Sequence, residues 1–385
     1  MTSPRPALSA VFLAFLRLGL TAFGGPAMVA YIREVVVRKK GWVTEESFAD
    51  GVALCQTLPG ATALQAAAYA GLRAAGPAGA VVAFLAFALP AFVLMVVLAA
   101  VYQRAQGIPA AVAAFHGLQG IVVALVANAT VDFGRRTLTT WQDAAFALVA
   151  AALLVARVSP IAVICGAAVA GLALRRAPDA RALPTPRAQR DASGRVAAAL
   201  AAGAVAALGL LFLFRRPLGE LGLLMVKVDL FAFGGGYASL PVMLHEVVEV
   251  HGWLDPRTFM DGIALGQVTP GPIVITATFV GYQVAGLAGA VVATLAVFVP
   301  SLTLLIAAVP HFDRLQSSAL VQHAVHGILA SFVGLLAAVS VRFALAAAWR
   351  LPLAAITAAA FLALRLKVDI LWVVLAGGGL AALLL

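Results

Sequence analysis

Charged residues and cysteine are both scarce in this sequence. Only 11% of its 385 residues are charged, whereas 63% are hydrophobic and the mean hydropathy is +1.03. A soluble domain carries about 25% charged residues, so this composition excludes an ordinary soluble protein. The two cysteines, Cys55 and Cys165, lie in apolar segments without any metal-ligand spacing. We therefore expect buried free thiols, and neither a disulfide framework nor a metal site.

Long apolar runs indicate an integral membrane protein whose partner is the lipid bilayer. The runs at 79–101 and 286–309 are each long enough to cross a hydrocarbon core of about 30 Å. The net charge of +10 comes mostly from Arg and Lys in short polar gaps, a pattern typical of cytoplasmic loops. It does not indicate nucleic-acid binding. The first run follows MTSPRPALSA without a cleavage pattern, so we expect a retained membrane segment.

The sequence repeats itself at an offset of 210 or 211 residues. FGG at 23–25 recurs at 233–235, GW at 41–42 recurs at 252–253, and LCQTLPGATAL at 54–64 matches LGQVTPGPIVI at 265–275. Such dense matches indicate two homologous halves. The predicted units are an N-terminal transport repeat at 8–174, a basic cytoplasmic linker at 175–195, a linker helix at 196–214 and a C-terminal transport repeat at 222–385.

The unmatched linker helix predicts that the two halves are inverted, because one extra crossing starts the second half from the opposite side. Charge agrees: the loop with Arg38, Lys39 and Lys40 is basic, whereas its counterpart at 245–261 is mainly acidic. The predicted fold is an all-α integral membrane protein, an inverted repeat with broken helices or re-entrant hairpins at the FGG and PG motifs. We favour hairpins because they place most of the basic loops on the cytoplasmic side of the membrane.

The broken segments are the predicted substrate-binding site. Gly and Pro free backbone groups that hydrocarbon cannot satisfy, so such breaks survive where protein, water or a solute satisfies them. A helix that begins at a break directs free N–H groups at a bound anion. The residues predicted to bind substrate here are Gly24, Gly25, Pro26, Gln56, Thr57, Pro59, Gly60, Gly234, Gly235, Gly236, Gln267, Thr269, Pro270, Gly271 and Pro272.

Two cations complete the predicted anion site. Arg17 and Lys227 each stand six residues before an FGG motif, and a cation in an apolar segment is usually paired or functional. Lys227 has two alternative roles, an ion pair with Asp229 or an interfacial position reached by its long side chain. The candidates for coupling to an ion are acidic residues and a histidine, for which an ordinary loop charge is the alternative. They are Asp50, Asp229, His245, Glu246 and Asp261.

These motifs resemble the chromate ion transporter family in its long two-domain form. Each half carries FGG, GW and Q-x-x-PG in the family's order. The resemblance implies export of chromate, a sulfate-like dianion, across a bacterial inner membrane, driven by the proton motive force and conferring resistance. It implies no cofactor. The residues alone leave other functions open: a sulfate or general oxyanion carrier, and a passive anion channel. An intramembrane enzyme is not favoured because no G-x-S-x-G motif appears. Whether the chain forms a homodimer is also open.

Overall fold

The computed structural model describes residues 5–22, 25–174, 188–311 and 318–384, and these residues are almost entirely helical. The predicted helical membrane fold is confirmed, with an isolated β-bridge between Pro59 and Phe233. The α-helices are α1 (Leu8–Thr21), α2 (Gly25–Arg33), α3 (Glu45–Thr57), α4 (Thr62–Ala105), α5 (Pro109–Thr137), α6 (Trp141–Val155), α7 (Pro160–Leu174), α8 (Ala188–Phe214), α9 (Arg216–Leu230), α10 (Ser239–Leu244), α11 (Pro256–Val268), α12 (Thr276–Ala308), α13 (Ala319–Ala346), α14 (Leu351–Arg365) and α15 (Ile370–Leu384).

Five of the described helical segments are long and apolar enough to cross a membrane, so the chain is a multi-pass membrane protein. They are Thr62–Ala105, Pro109–Thr137, Ser193–Phe214, Ile273–His311 and Ala319–Ala346. Some of the shorter helices begin at polar caps. The hydroxyl of Thr44 accepts from the Ser47 amide at the start of α3. Asp255 accepts from the amides of Arg257 and Thr258 at the start of α11. Such caps satisfy the first free N–H groups.

The two halves repeat one another down to individual backbone angles. A π-helix spans Glu34–Lys39 in the first half and His245–Val250 in the second. Each is followed by a glycine with positive φ, +60° at Gly41 and +59° at Gly252. Later, Arg157 and Lys367 both have a φ of 64°, a left-handed conformation that is unusual for a residue with a side chain. The internal repeat in sequence is therefore a repeat in structure.

The long helices α4 and α12 are each interrupted near their beginning. Non-helical angles at Ala75 and Gly76 break α4, and a Cβ added to Gly71 would collide with the carbonyl oxygen of Gly79. In a straight helix these two residues would lie about 12 Å apart, so the chain must fold back between them. Gly281 and Gly289 repeat this contact around Gly286 in α12. Each long element is therefore a tight helical hairpin, with glycines where its arms touch.

Equivalent helices of the two halves pack together in two clusters. The first cluster contains α1, α4, α9 and α12, with α8 packed against α9 and α12. The second contains α5, α6, α7, α13, α14 and α15, with α5 and α13 in contact at its centre. Each cluster contains helices from both halves, so the two halves are interleaved in the structure. The short helices α3 and α11, which carry the PG motifs at their ends, lead from the loops into the first cluster.

Several sequence predictions need correction or lie outside the described residues. Cys55 is a buried free thiol as expected, but Cys165 lies on an exposed face of α7. An apolar segment of a membrane protein can face lipid, so the apolar sequence around Cys165 does not require its burial within the protein. The helix before the second half begins at Ala188 rather than at 196, and α9 begins at Arg216 rather than at 222. Residues 175–187 of the predicted linker lie outside the described residues.

Candidate functional site

Each PG motif lies at the tip of a helical hairpin. In the first half, Gly51 of α3 packs against the ring of Tyr69 in α4, and Nε of Arg73 donates to Oγ of Ser47 at 3.1 Å. The two residues of each pair are equally far from residue 60 in the sequence, so the two arms of the hairpin run antiparallel. In the second half, Gly262 of α11 packs in the same way against Phe279. Of the two predicted arrangements, broken helices or hairpins, both PG segments therefore adopt the hairpin.

The tip of each hairpin binds the opposite half of the protein. The amide of Gly60 donates to the carbonyl oxygen of Ala232 at 2.9 Å, beside the β-bridge of Pro59 with Phe233. The amide of Gly271 donates to the carbonyl oxygen of Ala22 at 3.2 Å. Both PG tips thus reach the residue that precedes the FGG motif of the other half. We call the Gly60–Ala232 contact the first junction and the Gly271–Ala22 contact the second junction.

Two helix starts converge on the glycine segment 234–236. A Cβ added to Gly235 would lie 3.7 Å from the Oγ1 of Thr62, the first residue of α4. A Cβ added to Gly236 would lie 2.6 Å from Cγ2 of Ile273, where the 3-10 turn that leads into α12 begins. Gly234 and Gly235 have φ of +85° and +111°, which only glycine adopts at little cost. The second FGG motif and both PG motifs therefore meet in one region.

This region offers uncommitted hydrogen-bond donors. No side chain caps α4 at Ala61, the turn at Gly235, or the start of the 3-10 turn at Pro272. Among the described residues, the hydroxyl of Thr62 makes no hydrogen bond. By contrast, the hydroxyls of Thr57 and Thr269 donate to the carbonyl oxygens of Leu54 and Gly266 at 2.8 Å. Free N–H groups and one free hydroxyl are the donor set that an oxyanion requires.

A buried carboxyl group lies behind the first junction. Asp229 of α9 is 1% exposed, and its Oδ2 accepts from the amide of Ser301 in α12 at 2.7 Å. Pro300 precedes Ser301 in α12, and a proline inside a helix removes one backbone hydrogen bond from its turn. The equivalent position in the first half is Gly19, which packs against the backbone of Phe87. The first junction therefore has an ionisable group that the second junction lacks.

The other coupling candidates have different surroundings. Asp261 in α11 is buried and accepts from the hydroxyl of Tyr102 at 2.9 Å and from Nε2 of Gln119 at 3.0 Å. Its repeat counterpart Asp50 is exposed on α3. Nδ1 of His245 lies 2.8 Å from Oε2 of Glu249, and Glu246 is buried beside His251. The structure does not bring these groups together with the glycine segment.

The predicted cations lie away from the junctions. Arg17 is on the exposed face of α1, and Lys227 is half-buried on α9 without an ion pair to Asp229 among the described residues. Positions 17 and 19, like 227 and 229, are about 200° apart around a helix. Lys227 therefore faces away from Asp229, which lies beside Gly60, and Arg17 faces away from Gly19. Their role in anion binding stays a prediction.

The remaining predicted site residues are only partly brought together. Gln56 is exposed and Gln267 is half-buried, whereas Pro59, Pro270 and Pro272 are buried. Gly24 lies outside the described residues. Gly25 and Pro26 begin α2, which places a third helix start after the first FGG motif.

Sequence reasoning missed four residues that shape the site. Thr62 and Gln65 follow the first PG motif and lie in a stretch that differs between the halves. Ser301 follows Pro300, which matches Pro90 in the repeat, and that match could have drawn attention to it. Ala232 contributes only its carbonyl oxygen, which no sequence pattern reveals.

A family model described as Chromate transporter matches residues 9–172 and 219–383. An uncharacterized transporter of Methanocaldococcus jannaschii is 44% identical over 96% of this chain and 92% of its own. Chromate transport proteins of Cupriavidus metallidurans and Pseudomonas aeruginosa are 32% and 33% identical, over 86% and 89% of this chain and 82% of each relative. No solved structure matches the chain.

Proposed function

The chain belongs to the chromate transporter family, and on that premise we propose that it is a secondary active transporter that exports chromate across the cytoplasmic membrane, driven by the proton motive force. Export of this toxic anion would confer chromate resistance. In a bacterial cell the membrane concerned is the inner membrane. The observation that carries the proposal is the convergence of helix starts on the glycine segment 234–236.

The proposed substrate site is built from backbone rather than from charged side chains. Thr62 and Ile273 begin two converging helical elements, and the peptide groups of the glycine segment lie between them. The N-terminus of a helix carries about half a positive charge, so two starts supply about one charge to a tetrahedral dianion. Glycine allows the backbone to approach the oxygens without a Cβ in the way. Four oxygens around one centre suit donors that arrive from several directions.

Unequal burial of the two halves favours a carrier over a channel. In α11, Phe259, Met260 and Asp261 are buried and the helix packs against α5, α13 and α15. Its counterpart α3 packs mainly on α4, and Asp50 is exposed. Two halves with similar sequences thus hold different conformations. A carrier with internal repeats changes access by exchanging such conformations between the halves.

The direction of transport agrees with the charge of the substrate. A dianion that leaves a cell with a negative interior gains about 4.6 kcal/mol from a potential of about 100 mV. The membrane potential alone therefore favours export, and proton exchange adds to it. Uptake of the same dianion would have to overcome this free energy from the membrane potential.

Transport into inverted membrane vesicles tests the proposal. Vesicles from cells that express the chain, energised to be acidic inside, should accumulate chromate, and vesicles from cells with the empty vector should not. A protonophore that dissipates both gradients should abolish the accumulation. Chromate flux that persists unchanged with protonophore would instead indicate a passive channel or an exchanger.

Sulfate is the second candidate substrate, because its shape and charge are nearly those of chromate and backbone donors do not distinguish the central atom. The same vesicles should therefore show competition between the two anions. A higher kcat/KM for sulfate than for chromate would make the protein a general oxyanion carrier. Lack of transport of both anions, with the protein correctly inserted, would contradict the proposed function.

A further inference from the structure

Two buried oxygen atoms without partners flank the turn at the first junction. Oδ1 of Asp229 and Oε1 of Gln65 are both fully buried and have no hydrogen-bond partner among the described residues. Nε2 of Gln65 donates to the carbonyl oxygen of Pro59 at 2.7 Å, which fixes the amide on this turn. A Cβ added to Gly60 would lie 3.1 Å from Oδ1 of Asp229. The turn at Pro59 and Gly60 therefore covers an acceptor pair that lacks a donor.

A carboxylate in this position is costly without a counter-charge. A buried ion with one hydrogen bond loses the hydration that stabilised it, and a neutral carboxylic acid avoids most of that loss. Asp229 has a single bonded oxygen, whereas Asp261, another buried acid, has donors on both oxygens. A proton on Oδ1 would neutralise the charge and convert the unpartnered acceptor into a donor.

Among the side chains that the structure describes, no charged neighbour of Asp229 takes the place of the proton. The elements packed against α9 are α8, α10 and α12. Neither α10 (Ser239–Leu244) nor α12 (Thr276–Ala308) contains an acidic or basic residue, and the only titratable side chain in these two helices is that of Tyr282. Arg195 of α8 is exposed. On α9 itself, Glu220 pairs with Arg216 at 3.0 Å, and Lys227 points to another face of the helix.

The acidic group belongs to one junction only. Where the first junction has Asp229 and Ser301, the second has the repeat counterparts Gly19 and Ala91. Ala91 approaches Gly271 to within 2.9 Å of an added Cβ, as Ser301 approaches Gly60. The repeat therefore holds a neutral, apolar junction opposite an acidic one.

We propose that Asp229 is the proton-binding site of the transporter, and that proton binding is coupled to docking of the Pro59–Gly60 turn on α9. This inference rests on the proposed function, because it names the group that takes the coupled proton. The docked turn described here is the proton-loaded form. When the turn moves away, water reaches Oδ1 and the proton leaves. In an exchange of proton for anion, the proton-loaded form makes the return crossing.

Purified protein in liposomes provides the test, with Asp229→Asn as the permanently neutral variant. One coupled proton converts a gradient of about one pH unit into about tenfold anion accumulation. With the potential clamped by potassium and valinomycin, wild type should reach that ratio, and Asp229→Asn should reach a ratio near one. The variant should still exchange radiolabelled chromate for unlabelled chromate, since exchange needs no net proton movement. Glu220→Gln, on the same helix but outside the junction, should behave as wild type.

The outcomes separate the inference from the proposed function. Wild type that transports neither chromate nor sulfate would contradict the function itself. Accumulation by Asp229→Asn equal to wild type would overturn the inference and leave the function intact. Loss of chromate exchange in a well-folded Asp229→Asn protein would also overturn it, because the carboxyl would then act in anion binding.

A second measurement needs no variant to fold. Addition of chromate to wild-type protein in weakly buffered detergent should release protons, and release should not depend on replacing Na⁺ by choline. Chromate binding without proton release would contradict the inference. Accumulation that requires Na⁺ would assign the site to a metal cation instead.

Discussion

The amide of Gly60 donates a hydrogen bond to the carbonyl oxygen of Ala232, 2.9 Å away and in the other half of the protein. Its counterpart, from Gly271 to Ala22, spans 3.2 Å. These two bonds commit the glycine amides of both PG motifs to protein. We therefore expect the anion to be bound by the N–H groups that follow each PG motif, at the start of α4 and before α12. The PG motif itself links the two halves.

Substitution of Gly60 by Ala should cost about 2–5 kcal/mol of stability or abolish transport. The φ of +113° is unfavourable for a residue with a side chain, and the new Cβ would collide with the Cβ of Ser301. The melting temperature of the purified protein and the rate of chromate uptake provide the measurements.

Gly41→Ala is the matched control for backbone strain. Gly41 has a φ of +60° but no atom within 4 Å of an added Cβ, so only the conformational cost of about 1–2 kcal/mol applies. Uptake by Gly41→Ala should stay near that of wild type. Equal losses of activity in the two variants would show that the first junction has no special role.

Thr62→Val should raise the KM for chromate about tenfold or more. Valine keeps the shape of threonine but removes the hydroxyl, and a hydrogen bond to a charged group is worth about 1.5–3 kcal/mol. Protein abundance should not change, because the hydroxyl has no partner in the described protein.

Thr303→Val is the control for Thr62→Val. The hydroxyl of Thr303 donates to the carbonyl oxygen of Val299 within α12, at 2.8 Å, and lies outside the proposed site. Its KM should match that of wild type. A Thr62→Val variant with normal KM would remove Thr62 from the anion site.

Sequence periodicity predicts the repeat, its breaks and the hairpins, because Gly and Pro act through local backbone geometry. It does not predict which half each PG tip contacts, since the carbonyl oxygens of Ala22 and Ala232 carry no side-chain signal. The motif Lys227-x-Asp229 suggested an ion pair, but two residues separated by one position cannot share a face of a helix. The different burial of Asp50 and Asp261 depends on which helices pack against α3 and α11, and the repeated motif around each residue does not show those contacts.

The C-terminal ends of the two π-helices should lie on opposite sides of the membrane. A cysteine at Lys40 should react with a membrane-impermeant thiol reagent only in inverted vesicles, and a cysteine at Val250 only in intact cells. Both positions are exposed. Val250 is preferable to Glu249, whose carboxylate pairs with His245 and Arg342. Reaction of both cysteines from one side would contradict the inverted repeat.

Exchange of conformation between the halves gives the last prediction. Ala49 of α3 and Met260 of α11 are repeat counterparts, but Ala49 is exposed and Met260 is fully buried. The exposed face of α3 also carries Glu46 and Asp50, so it faces water rather than hydrocarbon. In a protein without native cysteines, Ala49→Cys should therefore react with N-ethylmaleimide much faster than Met260→Cys.

Chromate and a pH gradient together should then slow labelling of Ala49→Cys and accelerate labelling of Met260→Cys. The two changes are coupled because the halves exchange conformations. When α3 packs as α11 now does, Ala49 becomes buried, and when α11 leaves its packed position, Met260 becomes exposed. A passive channel would leave both rates constant during anion flux. Labelling rates that change at only one of the two cysteines would show that one hairpin moves alone, and the halves would then have separate functions in transport.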